Sequence, residues 1–298
     1  MAKNKDLVSV PVITYNQEEF IEETLESILN QSYNHIEIIV SDDCSTDKTV
    51  QILKNYAKKY PNIVKPIFNS DNKGITENSN TALSACRGKY IAIIGGDDLF
   101  KPNKIEKQVQ FMKDTECTVS YHNAEVFDHY TGNIERLFNR PGNTYQGSAK
   151  EVISKGCFFC ACTIMFRRED LGRIGFDTRL PVASDWKLII EILARTKGKI
   201  AYLDDTLSKY RRHEHNVTRK LHKVNNAEID TLNACNILAT EYPSLFKGAM
   251  EYQAQVFDVI KPRVNYLSCL LHAIKIKPTL LRFAVLGTYI LSFGKIQK

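Results

Sequence analysis

Short apolar runs alternate with amphipathic segments along the first hundred residues of the chain. The runs are rich in β-branched residues, are of strand length and end at polar residues or glycine. Four of them follow one another, at 7–13, 36–40, 63–68 and 90–94. The segments between them carry apolar residues at helical spacing, as in Leu25, Ile28 and Leu29. Strands that alternate with helices in this way predict an α/β protein whose mainly parallel sheet is covered by helices on both faces.

Polar residues mark where the helices should begin. Asn16 is expected to cap the helix after the first strand, and Thr46 or Asp47 the helix after the second, because these side chains accept backbone N–H groups. The pattern predicts further helices at 75–85, 104–114 and 184–194, and further strands at 117–121 and 199–203. Beyond about residue 217 it is helical, interrupted by Pro243, Pro262 and Pro278. We therefore expect an α/β unit at 1–215 and a C-terminal helical region at 216–298.

Composition and charge narrow the class of protein. The 298 residues are 43% hydrophobic and 25% charged, as in an ordinary globular protein. The eight cysteines have no disulfide-scaffold pattern, and Cys157, Cys160 and Cys162 lack a fourth ligand close by in sequence, so reduced thiols of a cytoplasmic protein are expected. No signal peptide is evident, and no apolar run reaches the roughly 18 residues of a membrane-spanning helix.

The net charge of +6 is concentrated at the C-terminus. Residues 261–298 contain seven Lys or Arg and no Asp or Glu. Together with the apolar segments 270–274 and 280–293, this pattern predicts peripheral contact with an anionic cytoplasmic membrane surface, and it argues against general nucleic-acid binding. Two alternatives stay open, namely a helical lid packed on the catalytic unit and a face that forms a homo-oligomer.

The candidate chemistry begins where the fourth strand ends. Gly95 and Gly96 allow a tight turn and a close ligand, and Asp97 and Asp98 follow directly. Adjacent carboxylates repel each other unless a cation or a donor compensates, and a divalent ion that carries a phosphorylated ligand would do so.

Polar loops also follow the first two strands, at 14–16 and 42–43. The carboxyl ends of parallel strands share one edge of a sheet, so three such loops predict a pocket there. Neither Gly-x-Gly-x-x-Gly after the first strand nor Gly-x-x-x-x-Gly-Lys is present, which weakens dinucleotide and P-loop interpretations.

Several spaced motifs then resemble the family 2 glycosyltransferases in their order along the chain. They are Val8–Asn16, Ser27–Tyr33, Ile38–Asp47, Asn72-Lys73-Gly74, Asn80, Gly88–Ile91 and Gly95–Asp98. The resemblance covers about residues 7 to 215. It implies a GT-A fold, a nucleotide-sugar donor such as a UDP-sugar, Mg²⁺ or Mn²⁺ as cofactor, and inversion at the anomeric carbon.

The resemblance also assigns roles to individual residues. Asp43 would accept a hydrogen bond from the base, Asp97 would lie near the ribose, and Asp98 would bind the metal that bridges the diphosphate. The remaining nucleotide-site residues would be Thr14, Tyr15, Asn16, Gly74 and Asn80. The family often has Asp-x-Asp-Asp at 95–98, and Gly95 replaces the first Asp here.

Two later residues complete the predicted site. Asp185, at the start of a predicted helix, corresponds to the family's catalytic carboxylate and would act as the base. Without the resemblance it would be an acid favoured by the helix dipole, and the adjacent Trp186 would be either core or an acceptor platform. His213 corresponds to a position that closes over the diphosphate, in some members as a metal ligand, whereas Arg211 and Arg212 would screen phosphate or be solvated.

Alternatives stay open for the acceptor and for the class of activity. A saccharide or a polyprenyl-linked saccharide is the expected acceptor, and the loop at 139–147 is expected to span the site. A nucleotidyltransferase could share such a sheet, but it should carry a basic, Gly-rich loop after the first strand, and residues 14–19 are acidic. A non-catalytic sugar-nucleotide-binding partner of an active transferase is the third reading, which Gly95 keeps open.

Overall fold

The computed structural model describes residues 5–214, 216, 226–259 and 266–291. Ten strands in this part of the chain form one sheet. They are β1 (Val8–Thr14), β2 (Ile36–Asp42), β3 (Val64–Phe68), β4 (Tyr90–Ala92), β5 (Ile94–Gly95), β6 (Leu99–Phe100), β7 (Val119–Asp128), β8 (Ile134–Leu137), β9 (Met165–Arg167) and β10 (Ile200–Arg212). The helices are α1 (Ile21–Leu29), α2 (Thr49–Lys59), α3 (Ile75–Ala85), α4 (Lys104–Thr115), α5 (Ala149–Lys155), α6 (Arg168–Leu171), α7 (Ser184–Thr196), α8 (Asn226–Glu241), α9 (Phe246–Val259), α10 (Tyr266–Ile276) and α11 (Leu280–Leu291).

The first half of the sheet is parallel, as predicted. The strand order is β3-β2-β1-β4-β9-β7-β10-β6, with β5 beside β1 and β8 beside β7. The pairs β2–β3, β1–β2, β1–β4 and β1–β5 are all parallel. The second half is mixed, because β9 runs antiparallel to β4 and β7, and β6 runs antiparallel to β10. Its longest strand, β10, extends well beyond the predicted 199–203, with shifts of register between Tyr202 and Ser208.

Two hydrophobic clusters cover the two faces of this sheet. One contains Ile21, Leu25 and Ile28 of α1 packed on β1 and β2. The other is centred on α7, where Trp186 is 1% exposed and therefore belongs to the core. The helix α8 contributes Leu238, and α9 contributes Ala249, to that second cluster. These two helices therefore pack on the α/β unit through a shared core.

Three further features bear on the expectations from the sequence. All eight cysteines are free thiols. None of the described helices is both long enough and apolar enough to cross a bilayer. The capping prediction for Asn16 is wrong, because α1 begins at Ile21 with Phe20 as its N-cap. The N-cap of α2 is Lys48 and not Thr46 or Asp47, although Asp47 accepts the backbone N–H of Thr49 at 2.9 Å.

Candidate active site

The three predicted loops meet at one edge of the sheet. The β1–β2 register places Thr14 opposite Asp42, and the β1–β5 register places Ile13 opposite Gly95. Two backbone hydrogen bonds tie the loops together, from Asp43 N to Thr14 O at 3.0 Å and from Gly96 N to Ile13 O at 2.9 Å. The structure thus brings the 14–16, 42–43 and 95–98 loops side by side, where ligands bind in open α/β sheets.

Asp43 organises the loop that leads into α3. Its carboxylate is buried and accepts from Lys73 N at 2.9 Å, from Gly74 N at 2.8 Å and from the Asn69 amide at 3.1 Å. Gly74 adopts a φ of +85°, a conformation that favours glycine, directly before α3. A carboxylate offers about four acceptor positions, so about one remains for a ligand.

The three residues of the 14–16 loop have different surroundings. Thr14 is buried, and its hydroxyl has no hydrogen-bond partner among the described residues. Tyr15 is 47% exposed, so its ring is available to a ligand. Asn16, at a φ of +50°, uses its side-chain oxygen to accept from Thr46 N at 2.8 Å. This bond explains the failed capping prediction, since Asn16 joins the loops after β1 and β2 instead of starting α1.

The side chain of Asn80 forms hydrogen bonds with the backbone of Phe176. Its amide group donates to Phe176 O at 2.8 Å, and its carbonyl oxygen accepts from Phe176 N at 2.8 Å. Gly175 lies so close that an added Cβ would be 2.5 Å from the Asn80 carbonyl oxygen. Asn80 therefore anchors the 175–176 segment to the middle of α3, a structural use that the sequence did not reveal.

The Gly95-Gly96 turn is packed tightly against α1. An added Cβ on Gly96 would lie 2.3 Å from the Gln17 side-chain oxygen and 3.0 Å from Ile13 O. The Thr24 hydroxyl lies 3.0 Å from Gly96 O and 2.9 Å from Asp98 O, so it fixes the turn by donating to either carbonyl. The glycine thus permits a close approach between two backbone segments of the site.

The variant Gly96→Ala should lose about 1–3 kcal/mol of unfolding free energy, because the backbone oxygen of Ile13 cannot move aside as a flexible side chain can. Urea denaturation measures this loss. Gly287→Ala is the matched control, since its Cβ would meet nothing within 4 Å in α11, and it should be neutral or slightly stabilising. Equal unfolding free energies for wild type and Gly96→Ala would contradict the tight packing.

The two adjacent carboxylates of the site face different surroundings. Asp98 is 5% exposed, accepts from Arg211 N at 2.9 Å and lies within 4.8 Å of the thiols of Cys160 and Cys162. Burial, and secondly the charge of Asp97, raise the pKa of Asp98 well above its usual value. The side chain of Asp97 is 20% exposed, and its Oδ2 lies 3.0 Å from His213 Nε2.

His213 and Asn216 form a short turn after β10 that faces Asp97. The backbone N–H of His213 donates to the Asn216 side chain at 2.7 Å, and the amide of Asn216 reaches Asp97 Oδ2 at 3.5 Å. The His213 ring packs on Phe20, with 4.3 Å between ring centroids. The structure thereby joins Asp97 and His213, two residues that the sequence assigned to different parts of the ligand.

Arg211 holds the carboxylate loop from behind. It is 2% exposed, and its Nε donates to Asp97 O at 2.6 Å while Nη2 donates to Glu23 at 2.6 Å. Its guanidinium lies between the rings of Phe20 and Phe127, at 5.4 and 4.8 Å. Arg211 is therefore neither a phosphate screen nor a solvated residue. It is a structural bridge, and no local pattern in the sequence indicated this role.

Asp185 lies in the first turn of α7 and is partly exposed. Its Oδ1 accepts from Trp186 N at 2.6 Å. Although part of the side chain reaches solvent, the surrounding protein desolvates the carboxylate and raises the pKa of Asp185 to about 6, against two backbone hydrogen bonds that act in the opposite direction. A carboxylate of this kind is a better base near neutral pH than an ordinary aspartate.

The segment from Cys157 to Cys162 links Asp185 with the carboxylate loop. The protein around the Cys157 thiol, and secondly the charge of Asp185, raise the pKa of this thiol, so the charge of Asp185 acts at this end of the segment. Three residues later, the Cys160 thiol lies within 4.8 Å of the Asp98 carboxylate. Three residues span at most about 10 Å, so the segment is a short connection toward the carboxylate loop.

The 139–147 loop is anchored beside this segment. The Asn139 amide donates to Phe158 O at 2.9 Å, and Tyr145 exchanges backbone hydrogen bonds with the Tyr121 hydroxyl at 2.8 and 2.9 Å. Gly147 pairs with Ile200 at the start of β10. These contacts attach the loop to β7, to the 157–162 segment and to β10, and its expected position across the site stays a prediction.

Comparisons with known sequences identify relatives of this chain. The sequence pattern of Glycosyl transferase family 2 matches residues 9–175. TuaG of Bacillus subtilis (strain 168), named a teichuronic acid biosynthesis glycosyltransferase, is 33% identical over 216 residues, which is 71% of this chain and 81% of TuaG. EpsE of the same organism, named a glycosyltransferase, is 40% identical over 161 residues, which is 54% of this chain and 56% of EpsE.

Solved structures share the fold. The S. aureus TarS fragment 1–349 superposes with a TM-score of 0.66 at 18% identity, over 96% of this chain and 87% of the fragment. The mannosyltransferase PcManGT from Pyrobaculum calidifontis, solved with GDP-Man and Mn²⁺, gives 0.63 at 20% identity, over 98% and 82%. These likenesses confirm the predicted GT-A architecture with its helical C-terminal region. The family pattern covers more than half of the chain, and the protein is therefore a glycosyltransferase that belongs to Glycosyl transferase family 2.

Proposed function

We propose that this glycosyltransferase moves a sugar from a UDP-sugar to a hydroxyl group of a saccharide or a polyprenyl-linked saccharide, with inversion at the anomeric carbon. The observation that carries the proposal is the partly exposed Asp97 carboxylate, held by His213 at the edge where the loops of Thr14 and Asp43 meet. TarS has been solved with UDP-GlcNAc and with UDP, which supports a uridine nucleotide as the donor carrier.

The nucleotide would lie along the 14–16 and 43–74 loops. The exposed Tyr15 ring suits contact with the nucleoside, and the remaining acceptor position of Asp43 suits an N–H of the base. The unpartnered hydroxyl of Thr14 offers a further polar contact beneath it. The diphosphate would then lie toward Asp97, at the next strand end along the same edge.

A divalent cation fits Asp97 and His213 better than it fits Asp98. One carboxylate oxygen of the partly exposed Asp97 and one ring nitrogen of the buried His213 lie 3.0 Å apart, and an ion held by both would keep other ligand positions open for phosphate oxygens. Asp98 is committed to Arg211 N and to buried thiols. We therefore assign Mg²⁺ or Mn²⁺ to Asp97 with His213, a change from the sequence-based choice of Asp98. Mn²⁺ in the PcManGT structure supports a metal, which would stabilise the negative charge of the departing diphosphate.

Asp185 is proposed as the base. Its carboxylate takes the proton of the acceptor hydroxyl, the hydroxyl oxygen attacks the anomeric carbon, and the bond from that carbon to the diphosphate oxygen breaks. The raised pKa favours this proton transfer at neutral pH, where the carboxylate is still mostly ionised. The family membership favours this reaction over nucleotidyl transfer and over a purely binding role.

A donor panel tests the proposed function. With Mn²⁺ present, UDP-sugars among a panel of UDP-, GDP- and dTDP-sugars should raise the melting temperature by several degrees at about 100 times their Kd, because ligand bound only to the native state adds about 2.7 kcal/mol. The same donor should be hydrolysed slowly without acceptor. Stabilisation by nucleoside triphosphates alone, or by no nucleotide sugar at all, would contradict the proposal.

A further inference from the structure

The helix α11 buries a charged side chain and exposes its large apolar ones. Its one buried side chain is the charged Arg282. Its large apolar side chains are exposed instead, with Leu280 at 91%, Leu281 at 71%, Phe283 at 51%, Ile290 at 61% and Leu291 at 83%. A helix packed on a water-soluble core normally does the opposite and buries its apolar stripe. The exposed face of α11 therefore requires an apolar environment outside the described chain.

Arg282 explains how the helix is held in this orientation. Its Nε lies 3.0 Å from both carboxylate oxygens of Asp258 in α9, and its Nη2 donates to the same carboxylate at 2.6 Å. Its Nη1 donates to Lys277 O, just before α11. Arg282 thus fixes the helix through polar, directional contacts. The five exposed apolar side chains remain available for a second surface.

The charge near the exposed face of α11 indicates which kind of surface this face contacts. Residues 261–298 contain seven basic residues and no acidic one. Arg282 and Lys277 pair with Asp258 and Glu251 of α9, whereas Lys275 at the end of α10 is exposed. A second copy of the chain would bring two basic segments together across a two-fold axis, which is electrostatically unfavourable. An anionic lipid surface offers both an apolar layer and negative charge.

We propose that α11 docks on an anionic lipid bilayer, in the plane of the interface. The helix has twelve residues and is therefore about 18 Å long, so it suits a position along the headgroup boundary. Its leucines and Phe283 enter the acyl boundary, while Lys275 lies toward the headgroups. The inference does not depend on the donor or on the mechanism of transfer. It explains how an enzyme of this family could be held where a lipid-linked acceptor is found.

Vesicle flotation of the full-length protein tests the inference. We expect the wild type to float with phosphatidylcholine vesicles that contain 30% phosphatidylglycerol, chosen as about the anionic content of an acidic leaflet. The double variant Leu280→Ser/Leu291→Ser should bind at least about tenfold more weakly, because two exposed apolar anchors are lost. Lys275→Gln should weaken binding about fivefold on the anionic vesicles and leave binding to pure phosphatidylcholine unchanged.

Ile134→Ser is the matched control. Ile134 is 55% exposed in β8, and its replacement removes an exposed apolar side chain of similar size from the α/β unit. This variant should float like the wild type. All variants should keep the wild-type melting temperature, because the replaced side chains have few contacts within the chain. Equal flotation of wild type and double variant would overturn the proposal. So would a wild type that ignores vesicles but forms a dimer which the double variant dissociates.

Discussion

Asp97→Asn should lower the rate of sugar transfer by about 10²–10³-fold, whereas Asp98→Asn should keep most of it. The reason is their different surroundings. Asp97 is partly exposed and contacts His213, so the loss of its charge would weaken binding of the cation and the stabilisation of the leaving diphosphate. Asp98 is buried and is held by Arg211 N, and an amide of the same shape can still accept from that backbone N–H.

The measurement is transfer rate as a function of Mn²⁺ concentration for the wild type and the two variants. For Asp97→Asn we expect a much higher Mn²⁺ requirement, and for Asp98→Asn an unchanged one. His213→Ala should resemble Asp97→Asn in a milder form, because one ligand atom of the pair remains. Loss of Mn²⁺ dependence in Asp98→Asn, with Asp97→Asn unaffected, would contradict the assignment to Asp97 and indicate that the metal binds at Asp98.

Asp185→Asn should abolish transfer, with a loss of about 10²–10⁴-fold, while donor binding stays nearly intact. The amide can still accept from Trp186 N, so the helix start should be preserved, but it cannot take the acceptor proton. Single-turnover transfer and calorimetric UDP binding measure the two effects. The matched control is Asp170→Asn in α6, another acid whose pKa is raised by burial, and it should remain active. A parallel loss of transfer and UDP binding in Asp185→Asn would indicate a structural role instead.

The raised pKa of Asp185 also fixes the sign of two pH effects. Transfer should fall about tenfold per pH unit below about 6, because only the ionised carboxylate accepts a proton. The native state binds this proton more tightly than the unfolded chain, whose reference pKa is 3.8. The resulting contribution to stability is complete below about pH 3.8 and is lost as the pH rises to about 6. Above that pH, Asp185→Asn should raise the free energy of unfolding, by at most about 3 kcal/mol.

The first half of the fold follows from the chain pattern almost completely. Strands of β-branched residues and helices with one apolar face are local signals, and parallel pairing then brings the loops of Thr14, Asp43 and Asp97 to one edge. The second half was predicted less well. The strands β6 and β9 have only two and three residues, too few to show a period, and their antiparallel pairing depends on distant partners.

The side-chain details of the site were the least predictable part. Which of Asp97 and Asp98 faces outward depends on the Gly95-Gly96 turn and on thiols more than sixty residues away. The anchoring of Asn80 by Phe176 and the buried position of Arg211 likewise arise from contacts between segments that are far apart in the chain. Motif order located the site, but long-range packing decided how its residues are used.

The hydrogen bonds between Arg211 and the carboxylate loop have a consequence for biosynthesis of the protein. Its two sides, Asp98 and Arg211, are separated by 113 positions. During translation, the ribosome must add those residues after the loop has been made, which takes roughly ten seconds at typical elongation speeds. Until Arg211 has been made, the emerging polypeptide contains its nucleotide loops but lacks the hydrogen-bond donor to Asp97 O and Asp98. A truncated product that stops before residue 211 should therefore be unable to retain a donor, even if its first parallel strands have already paired.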